Sequence, residues 1–284
     1  MSRISSYPFI SSYTFLEKCE WCLVLSNDTK YTKEISGIDP NKVKNGDRIY
    51  VVTELIDYFF KEIDTKISCR YHLITGRSDI LINHSYSKYL NDKILSWSSS
   101  NLTNSTDIRF KQIPLGIQNL NWSYDDNPQS DINLIKEIKS EKIDKENKVL
   151  LSFQIHTNST ERNRCYDYFK NKNYVKERKY NNSDRRNREF VSEYFREIRK
   201  SKFVVCPWGN GIDCHRNYEV WYLNSIPIIR KHKALEMLYD LPALWIDDWI
   251  DLDTIDLEDK YKEIIESKVN EEKLNFDYWW RKIK

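Results

Sequence analysis

Residues 201–230 decide the fold, and they read SKFVVCPWGNGIDCHRNYEVWYLNSIPIIR. Residues 203–206 form a short apolar run without alternation, which is typical of a strand that is buried on both faces. Pro207 has no N–H group to donate to a neighbouring strand, so the strand is predicted to end there. Residues 226–229 are predicted to form the next strand. The stretch therefore predicts a strand, a loop, a helix and a second, parallel strand.

The loop between the two strands is built around two glycines. Gly209 and Gly211 flank Asn210, so the backbone can turn sharply and bring its N–H groups close to a ligand. Asp213 is predicted to be the N-cap of the following helix, which is expected to begin near Cys214. In open α/β sheets, loops at the carboxyl ends of parallel strands bind the ligands. This loop is therefore the first candidate for a binding site.

The predicted helix carries an apolar stripe and a pair of opposite charges. The apolar stripe consists of Cys214, Tyr218, Trp221 and Tyr222. Arg216 and Glu219 lie three residues apart on another face, one turn inside the positive end of the helix. A glycine loop, an arginine and a glutamate together suit a ribose that carries a diphosphate. The alternative is that Glu219 is a solvated residue paired with Arg216.

In these residues the chain resembles the exostosin-like, family 47-type inverting glycosyltransferases, and especially their short soluble members encoded by large DNA viruses. Three further segments resemble that family in the same order, namely residues 74–79, 113–122 and 151–162. The resemblance covers roughly residues 48–250. It implies the GT-B architecture, in which two Rossmann-like domains face each other across a cleft and the last helix crosses back to the first domain.

The resemblance also implies which residues hold a nucleotide-sugar donor. A glutamate at the position of Glu219 accepts hydrogen bonds from the ribose hydroxyls in this family. The family's Thr-Asn-x-x-x-Arg pattern is matched by Thr157, Asn158 and Arg162. Arg162 is then either a second diphosphate ligand or part of the start of a surface helix, and Arg216 either contacts the diphosphate or only pairs with Glu219. The complete donor-binding prediction is Gly209, Asn210, Gly211, Asp213, His215, Arg216, Glu219, Asn158 and Arg162.

Inversion requires a base that takes a proton from the acceptor hydroxyl on the face opposite the leaving diphosphate. Asp79 is predicted to be that catalytic base, because it follows the strand at residues 71–75 and relatives carry a similar polar Ser-Asp ending there. Alternatively, Asp79 caps residues 80–83 or pairs with Arg77. The reserve candidates for the base are His84 and Glu54.

Metal-binding patterns are weak in this sequence. Asp251 and Asp253 match the Asp-x-Asp pattern of metal-dependent glycosyltransferases, but their acidic, turn-like context near the C-terminus favours capping or a solvated run. Cys19 and Cys22 have the spacing of half a zinc site or of a redox motif, and no second pair follows at zinc-ribbon spacing. The six cysteines are interpreted as reduced thiols. We therefore predict that the reaction uses no metal and no other cofactor.

The composition limits the partners. Lysine and arginine number 45 against 43 aspartate and glutamate, and a net charge of +2 predicts neither a general nucleic-acid binder nor a polybasic membrane protein. Arg185, Arg186 and Arg188 form the one strongly basic cluster, and it lacks interleaved aromatic residues. No apolar run approaches the roughly 18 residues of a membrane span, and the N-terminus lacks a signal-peptide pattern. The protein is therefore predicted to be soluble and cytoplasmic, without membrane insertion and without a nucleic-acid partner.

Strand and helix patterns alternate along the chain, which predicts an α/β protein, and 284 residues are enough for two domains. The predicted division is residues 1–130 for an N-terminal acceptor-side domain, 131–147 for a linker, 148–268 for the nucleotide-sugar-binding domain and 269–284 for the C-terminal helix. Residues 1–18 are expected to lie over the surface. The other predicted strands are residues 20–25, 48–52, 71–75, 93–97, 110–113, 148–153, 174–176 and 243–246. The other predicted helices are residues 54–61, 86–91, 131–145, 160–171, 187–200, 234–239, 257–267 and 274–283.

Together these patterns predict an inverting glycosyltransferase that needs no metal ion. It would move a monosaccharide from a nucleotide-diphosphate sugar, such as UDP-xylose, to a hydroxyl group of a glycan or glycoprotein. Two alternatives are open at this point: a GDP-fucose-type glycosyltransferase, which shares a similar helix glutamate, and a non-catalytic carbohydrate-binding protein on the same fold. Binding of UDP or GDP separates the first two, and hydrolysis of a sugar nucleotide separates both from the third.

Overall fold

The computed structural model describes residues 6–25, 37–103, 106–118, 128, 131–179 and 187–283. The chain divides into a first unit, Met1–Asp125 with Asn275–Lys284, and a second unit, Asp126–Leu274. Within the described residues, each unit contains one parallel sheet of five strands. The predicted fold class is confirmed: the protein is an α/β protein with two parallel sheets, the composition expected of the GT-B architecture.

The sheet of the first unit follows the order of the chain. Its strands are β1 (Trp21–Leu23), β2 (Arg48–Val52), β3 (Tyr71–Gly76), β4 (Ile94–Ser99) and β5 (Phe110–Gln112). Every neighbouring pair is parallel, and the order β1-β2-β3-β4-β5 contains no reversal. Because parallel crossovers are right-handed, winding in one direction places the connections on one face of the sheet. The sequence predicts all five strands within a few residues of these bounds.

The helical stretch at residues 53–66 covers one face of this sheet. It contains α2 (Ile56–Tyr58) between 3-10 and π-helical turns, so it is longer and less regular than the helix predicted for residues 54–61. Its apolar side chains pack with those of β2 in one core, which includes Ile49, Val51, Ile56, Phe59 and Ile63.

The C-terminal helix α8 (Phe276–Trp280) belongs to the first unit and packs on the other face of the sheet. Successive residues of a strand alternate between faces, so Arg48 points away from the core that contains Ile49. The Arg48 guanidinium lies over the Trp280 ring, 4.5 Å from its centroid. The helix is shorter than the one predicted for residues 274–283.

The expectation that residues 1–18 lie over the surface is wrong for the part that the structure describes. A helix, α1 (Ser12–Lys18), begins after the N-cap Ser11. Its buried residues are Ser12, Tyr13, Thr14, Phe15 and Leu16. The Phe15 ring packs against Phe276 of α8, with ring centroids 4.9 Å apart. The physical reason is that the connections between the strands lie on one face of the sheet. The other face must be covered by segments that do not connect two strands.

The sheet of the second unit reverses its order once. Its strands are β6 (Glu146–Leu151), β7 (Val175–Glu177), β8 (Ser201–Val205), β9 (Ile226–Arg230) and β10 (Leu244–Ile246). They lie in the order β10-β9-β8-β6-β7, with all pairs parallel. The chain leaves β6 in one direction for β7 and returns to the other side of β6 as β8. The carboxyl ends of β6 and β8 therefore form a topological switch point, where open α/β sheets bind ligands.

Five α-helices accompany this sheet in the described residues. They are α3 (Ile132–Ser140), α4 (Ser159–Phe169), α5 (Arg188–Lys200), α6 (His215–Tyr222) and α7 (Leu257–Glu266). Helix α5 follows the N-cap Asn187 and buries one stripe, which consists of Val191, Tyr194, Phe195 and Ile198. Residues 131–147, the predicted linker, contain α3 and the start of β6. His84–Tyr89 and Lys233–Leu238 are 3-10 helices, close to where the sequence predicts α-helices.

All six cysteines are free thiols, as the sequence predicts. Burial raises the pKa of the Cys22 thiol to about 11 and the pKa of the Cys19 thiol well above its usual value.

In the described ranges of the chain, no helix combines the length and the apolar content that a membrane span requires.

Candidate functional site

Two loops flank the switch point of the second sheet. The loop at residues 152–158 follows β6 and leads into α4, and the loop at residues 206–214 follows β8, carries the glycines and leads into α6. Asn158 caps α4 and also donates from its Nδ2 to the Gly209 carbonyl at 2.8 Å. This hydrogen bond brings together two of the segments that the sequence predicts to bind the donor.

Arg162 braces the same two loops from inside. Its Nη1 donates to the Gln154 carbonyl at 2.6 Å, and its Nε donates to the Trp208 carbonyl at 3.0 Å. Gln154 lies in the first loop and Trp208 in the second. The side chain is buried, and burial lowers the pKa of Arg162. The interpretation of Arg162 as a surface residue at a helix start is therefore wrong, whereas its role as a second diphosphate ligand stays a prediction.

Gly209 leaves room for the close approach of an arginine. A Cβ atom at this position would lie 3.2 Å from Nη2 of Arg162, closer than most side chains tolerate. The Gly209 N–H donates to the Gly211 carbonyl and to the Cys214 thiol, both at 3.1 Å. This N–H group is thus used within the loop, while the sequence predicts that it faces a ligand. Asn210, between the two glycines, is exposed.

The prediction that Asp213 is the N-cap of α6 is wrong. Cys214 occupies the N-cap position, and its side chain makes no capping hydrogen bond. The Asp213 carboxylate is buried and accepts a hydrogen bond from the Tyr218 hydroxyl at 2.6 Å, so it holds the loop against the helix instead. His215 is the first residue of α6 and is partly exposed.

The charged pair of α6 is joined through a tyrosine of another helix. Glu219 is only 3% exposed, so the alternative of a solvated glutamate is wrong. The hydroxyl of Tyr194, on α5, donates to Oε2 of Glu219 at 3.1 Å and accepts from Nη1 of Arg216 at 2.7 Å. Sequence reasoning missed Tyr194, because in the sequence it is one more residue of an apolar helical stripe.

A cleft of about 560 Å³ opens beside these loops, at the carboxyl ends of β6 and β7. Its walls combine apolar and aromatic side chains with a few polar ones, among them Phe153, Ile155, His156, Ser159, Tyr166 and Glu177. A volume of this size is common in small-molecule sites. Tyr166 and Glu177 carry no sequence signal that would have pointed to them.

The predicted base lies in the first unit. Asp79 is exposed in the bend that follows β3, two residues after Arg77, whose φ of 56° is in the left-handed region. Within the described residues, the Asp79 carboxylate neither caps residues 80–83 nor forms an ion pair with Arg77. The reserve candidates His84 and Glu54 are exposed as well. The assignment of Asp79 as the base stays a prediction.

The acidic stretch near the C-terminus acts as a cap, as predicted for it. Asp248 and Asp251 form a capping box at the start of a 3-10 helix, in which Asp251 accepts from the Asp248 N–H at 2.9 Å. Asp253 accepts from the Tyr168 hydroxyl at 2.7 Å and from the Lys172 ammonium at 2.9 Å. Across the described part of the chain, no three His, Cys, Asp or Glu side chains are grouped so that they could hold a metal ion.

Part of the predicted basic cluster lies outside the described residues, namely Arg185 and Arg186. Arg188, the remaining member, forms an ion pair with Asp131 at 2.6 Å. Trp122, at the end of the family-like segment 113–122, also lies outside them.

Comparisons with known proteins identify one family model that matches the chain. Residues 136–284 match the family model of the RXYLT1 C-terminal domain. A search of curated proteins found no match. One solved structure is described as "Trehalose-6-phosphate from E. coli bound with UDP-2-fluoro glucose". Its chain is 10% identical to this one, with a TM-score of 0.46 over 92% of this chain and 82% of that chain. A glycosyltransferase from Rickettsia africae ESF-5 is 11% identical, with a TM-score of 0.41 over 99% of this chain and 82% of that chain.

The family match begins in α3 and includes both loops of the switch point, the charged pair of α6 and the C-terminal helix. It spans more than half of the chain, which therefore belongs to the family of the RXYLT1 C-terminal domain.

Proposed function

We propose that this protein, a glycosyltransferase by its family, is an inverting enzyme that transfers a monosaccharide from a UDP-sugar such as UDP-xylose to a hydroxyl group of a glycan. The observation that carries the proposal is the constellation at the switch point of the second sheet. There a buried glutamate and an arginine lie on the first turns of α6, joined by one tyrosine hydroxyl, beside two loops that are tied together. The resemblance to short viral members of the exostosin-like family is a finer prediction that the family match does not test.

The diphosphate of the donor would bind at the start of α6. Arg216 lies in the first turn of that helix and is partly exposed, so its guanidinium can offer a fork of donors to phosphate oxygens. The N-terminal end of a helix adds a partial positive charge that favours the same anion. These two features offset much of the charge of a diphosphate without a metal ion, which supports a metal-independent reaction.

The nucleoside would bind beside the diphosphate, also within the second unit. A buried carboxylate such as that of Glu219 accepts hydrogen bonds from vicinal ribose hydroxyls, and such charge-assisted bonds are stronger than neutral ones. The cleft at the carboxyl ends of β6 and β7 offers Phe153, Ile155 and Tyr166 as apolar walls for a planar base. We propose it as the base subsite.

In the reaction, the acceptor hydroxyl attacks the anomeric carbon while the bond from that carbon to the diphosphate breaks on the opposite face. Asp79 is the proposed base that takes the hydroxyl proton, since its carboxylate is exposed at the carboxyl end of β3. The leaving UDP departs with its charge held by Arg216 and the start of α6. The configuration of the anomeric carbon is inverted by this single displacement.

The proposal is tested by titrating UDP and GDP against the protein in a thermal-shift assay. A ligand at 100 times its dissociation constant stabilises a protein by about 2.7 kcal/mol, so binding by either nucleotide is readily seen. We expect a shift with UDP and none with GDP, and turnover of one UDP-sugar from a panel. A shift with GDP alone would favour a fucose-type donor, and binding without any hydrolysis or transfer would favour a carbohydrate-binding protein.

The assignment of the ribose subsite is tested with Glu219→Ala. Removal of the carboxylate leaves the ribose hydroxyls unpaired, and UDP binding is expected to weaken by about 1–3 kcal/mol. Glu236→Ala, an exposed glutamate of the same unit, is the matched control and should bind UDP like the wild type. Wild-type affinity in the Glu219→Ala variant would show that the ribose binds elsewhere.

A further inference from the structure

Tyr194 occupies an unusual place for a residue of a core stripe. Its side chain is 0% exposed on α5, which contributes no residue to either loop of the switch point. Its hydroxyl nevertheless contacts both charged residues of α6, with 2.7 Å to Nη1 of Arg216 and 3.1 Å to Oε2 of Glu219. The Arg216 guanidinium carbon also lies 5.6 Å from the centroid of the Tyr194 ring.

The chemistry of a phenol suits this bridging position. A tyrosine hydroxyl has one proton to donate and lone pairs that accept, so it can accept from the guanidinium and donate to the carboxylate at the same time. The two neighbouring charges polarise the bridge in one direction, from Arg216 through Tyr194 to Glu219. Both charged side chains are therefore tied to the same oxygen atom.

A purely apolar core would not select a tyrosine here. Taking a hydroxyl group out of water is unfavourable unless it is hydrogen-bonded, and phenylalanine would fill nearly the same volume without that requirement. The hydroxyl lies at a buried site, and its partners there are the two residues with the clearest ligand chemistry on α6. This coincidence points to a task in the binding of the donor.

We propose that Tyr194 is a positioning residue of the donor site: it fixes the Glu219 carboxylate for the ribose hydroxyls and the Arg216 guanidinium for the adjacent diphosphate. The proposal rests on the proposed function. In a nucleoside diphosphate the ribose and the phosphates are covalently adjacent, so the two protein groups must be held at a fixed spacing to bind both at once. A single bridging atom from a neighbouring helix provides that spacing.

The test uses Tyr194→Phe and two nucleotides, UDP and 2′,3′-dideoxy-UDP, measured by isothermal titration calorimetry. The wild type should bind UDP more tightly, because only UDP has the ribose hydroxyls that donate hydrogen bonds to Glu219. In the variant we expect the ratio of the two affinities to fall by about tenfold, the loss expected for a charge-assisted hydrogen bond. In a Glu219→Ala background, Tyr194→Phe should change the ratio no further, since the residue acts through Glu219.

Tyr222→Phe is the matched control. Tyr222 is also buried, and its hydroxyl donates to the Leu274 carbonyl at 2.8 Å. This variant should keep the wild-type affinity ratio. If Tyr194→Phe also keeps that ratio while its melting temperature falls, the hydroxyl is structural only and the proposal is wrong. If the wild type itself binds neither nucleotide, the proposed function fails first, so the two failures are distinguishable.

A second measurement does not depend on the folding of Tyr194→Phe. Because one hydroxyl contacts both Arg216 and Glu219, removing either partner also disturbs the other, so the effects of Arg216→Met and Glu219→Ala on UDP affinity should not multiply. The double variant is expected to lose less affinity than the product of the two single losses. Losses that multiply would show that the two residues act independently and would overturn the bridge.

Discussion

Asp79 is the residue on which the proposed chemistry depends most directly. If its carboxylate takes the proton of the acceptor hydroxyl, Asp79→Asn should keep the affinity for UDP and lower turnover by about 10²- to 10⁴-fold. Single-turnover kinetics and calorimetry on the same preparation separate the two quantities. Asp92→Asn, another exposed aspartate of the first unit, is the control and should turn over normally. Near-normal turnover of Asp79→Asn would show that Asp79 is not the base, and His84 and Glu54 would be the next candidates.

Lys145 gives the second unit a pH-dependent contribution to stability. Its ammonium donates to the Ser201 carbonyl at 3.1 Å and to the Ser225 hydroxyl at 2.5 Å, at the amino ends of β8 and β9. Burial, with a smaller contribution from the nearby charge of Arg199, lowers the pKa of Lys145 from 10.5 to about 7. Between those two values the unfolded chain binds a proton that the folded chain does not, so the free energy of unfolding rises with pH in that window.

We therefore expect the stability difference between the wild type and Lys145→Met to change with pH. From pH 7 to pH 9, the free energy of unfolding should rise more for the wild type than for the variant, by at most about 1.4 kcal/mol per pH unit. Urea denaturation at three pH values measures the difference. Lys148→Met, at an exposed position, should follow the pH dependence of the wild type. A constant difference between wild type and Lys145→Met would show that Lys145 stays charged in the folded protein.

At the scale of elements, the start of α4 does two things at once. Asn158 caps the helix by accepting from the Glu161 N–H and also donates to Gly209 in the other loop. Asn187 caps α5 in the same way but makes no such bridge among the described contacts. The two asparagines are thus a natural pair for comparison.

Both Asn158→Ala and Asn187→Ala should destabilise the protein by about 1 kcal/mol, the usual effect of losing an N-cap. Only Asn158→Ala should also weaken UDP binding, because it releases the glycine loop from the loop after β6. Chemical denaturation and calorimetry on both variants provide the comparison. Equal UDP affinity in the two variants would mean that the tie between the loops has no part in binding.

The elements that the sequence predicts well are those with a local cause. β2 and β8 were predictable from short apolar runs, and α5 from its helical period and its asparagine cap. α1 was not predictable, because its burial follows from the winding of a sheet whose strands come later in the chain. Tyr194 was missed for a similar reason, since its partners are 22 and 25 residues away on another helix. Contacts of this kind depend on the packing of helices, which a single sequence does not display.

For the whole molecule, the proposed neutralisation of the diphosphate by protein groups predicts a metal-independent enzyme. Turnover should be largely unchanged in EDTA, because Arg216 and the start of α6 hold the leaving group. Asp253→Asn should likewise turn over normally, since its carboxylate serves Tyr168 and Lys172. If EDTA abolishes activity and manganese restores it, the enzyme needs a metal ion, and the acidic stretch becomes the candidate metal site.

The first unit is discontinuous in the chain, because α8 follows the entire second unit. Domains generally fold as units while the ribosome is still adding residues. The first sheet is made early, but the face on which Arg48 stacks against Trp280 cannot be closed until the second unit has been synthesised. The second unit, whose residues Asp126–Leu274 are contiguous, faces no such delay. The order of completion during translation is therefore the reverse of the order of synthesis: the part made second is finished first.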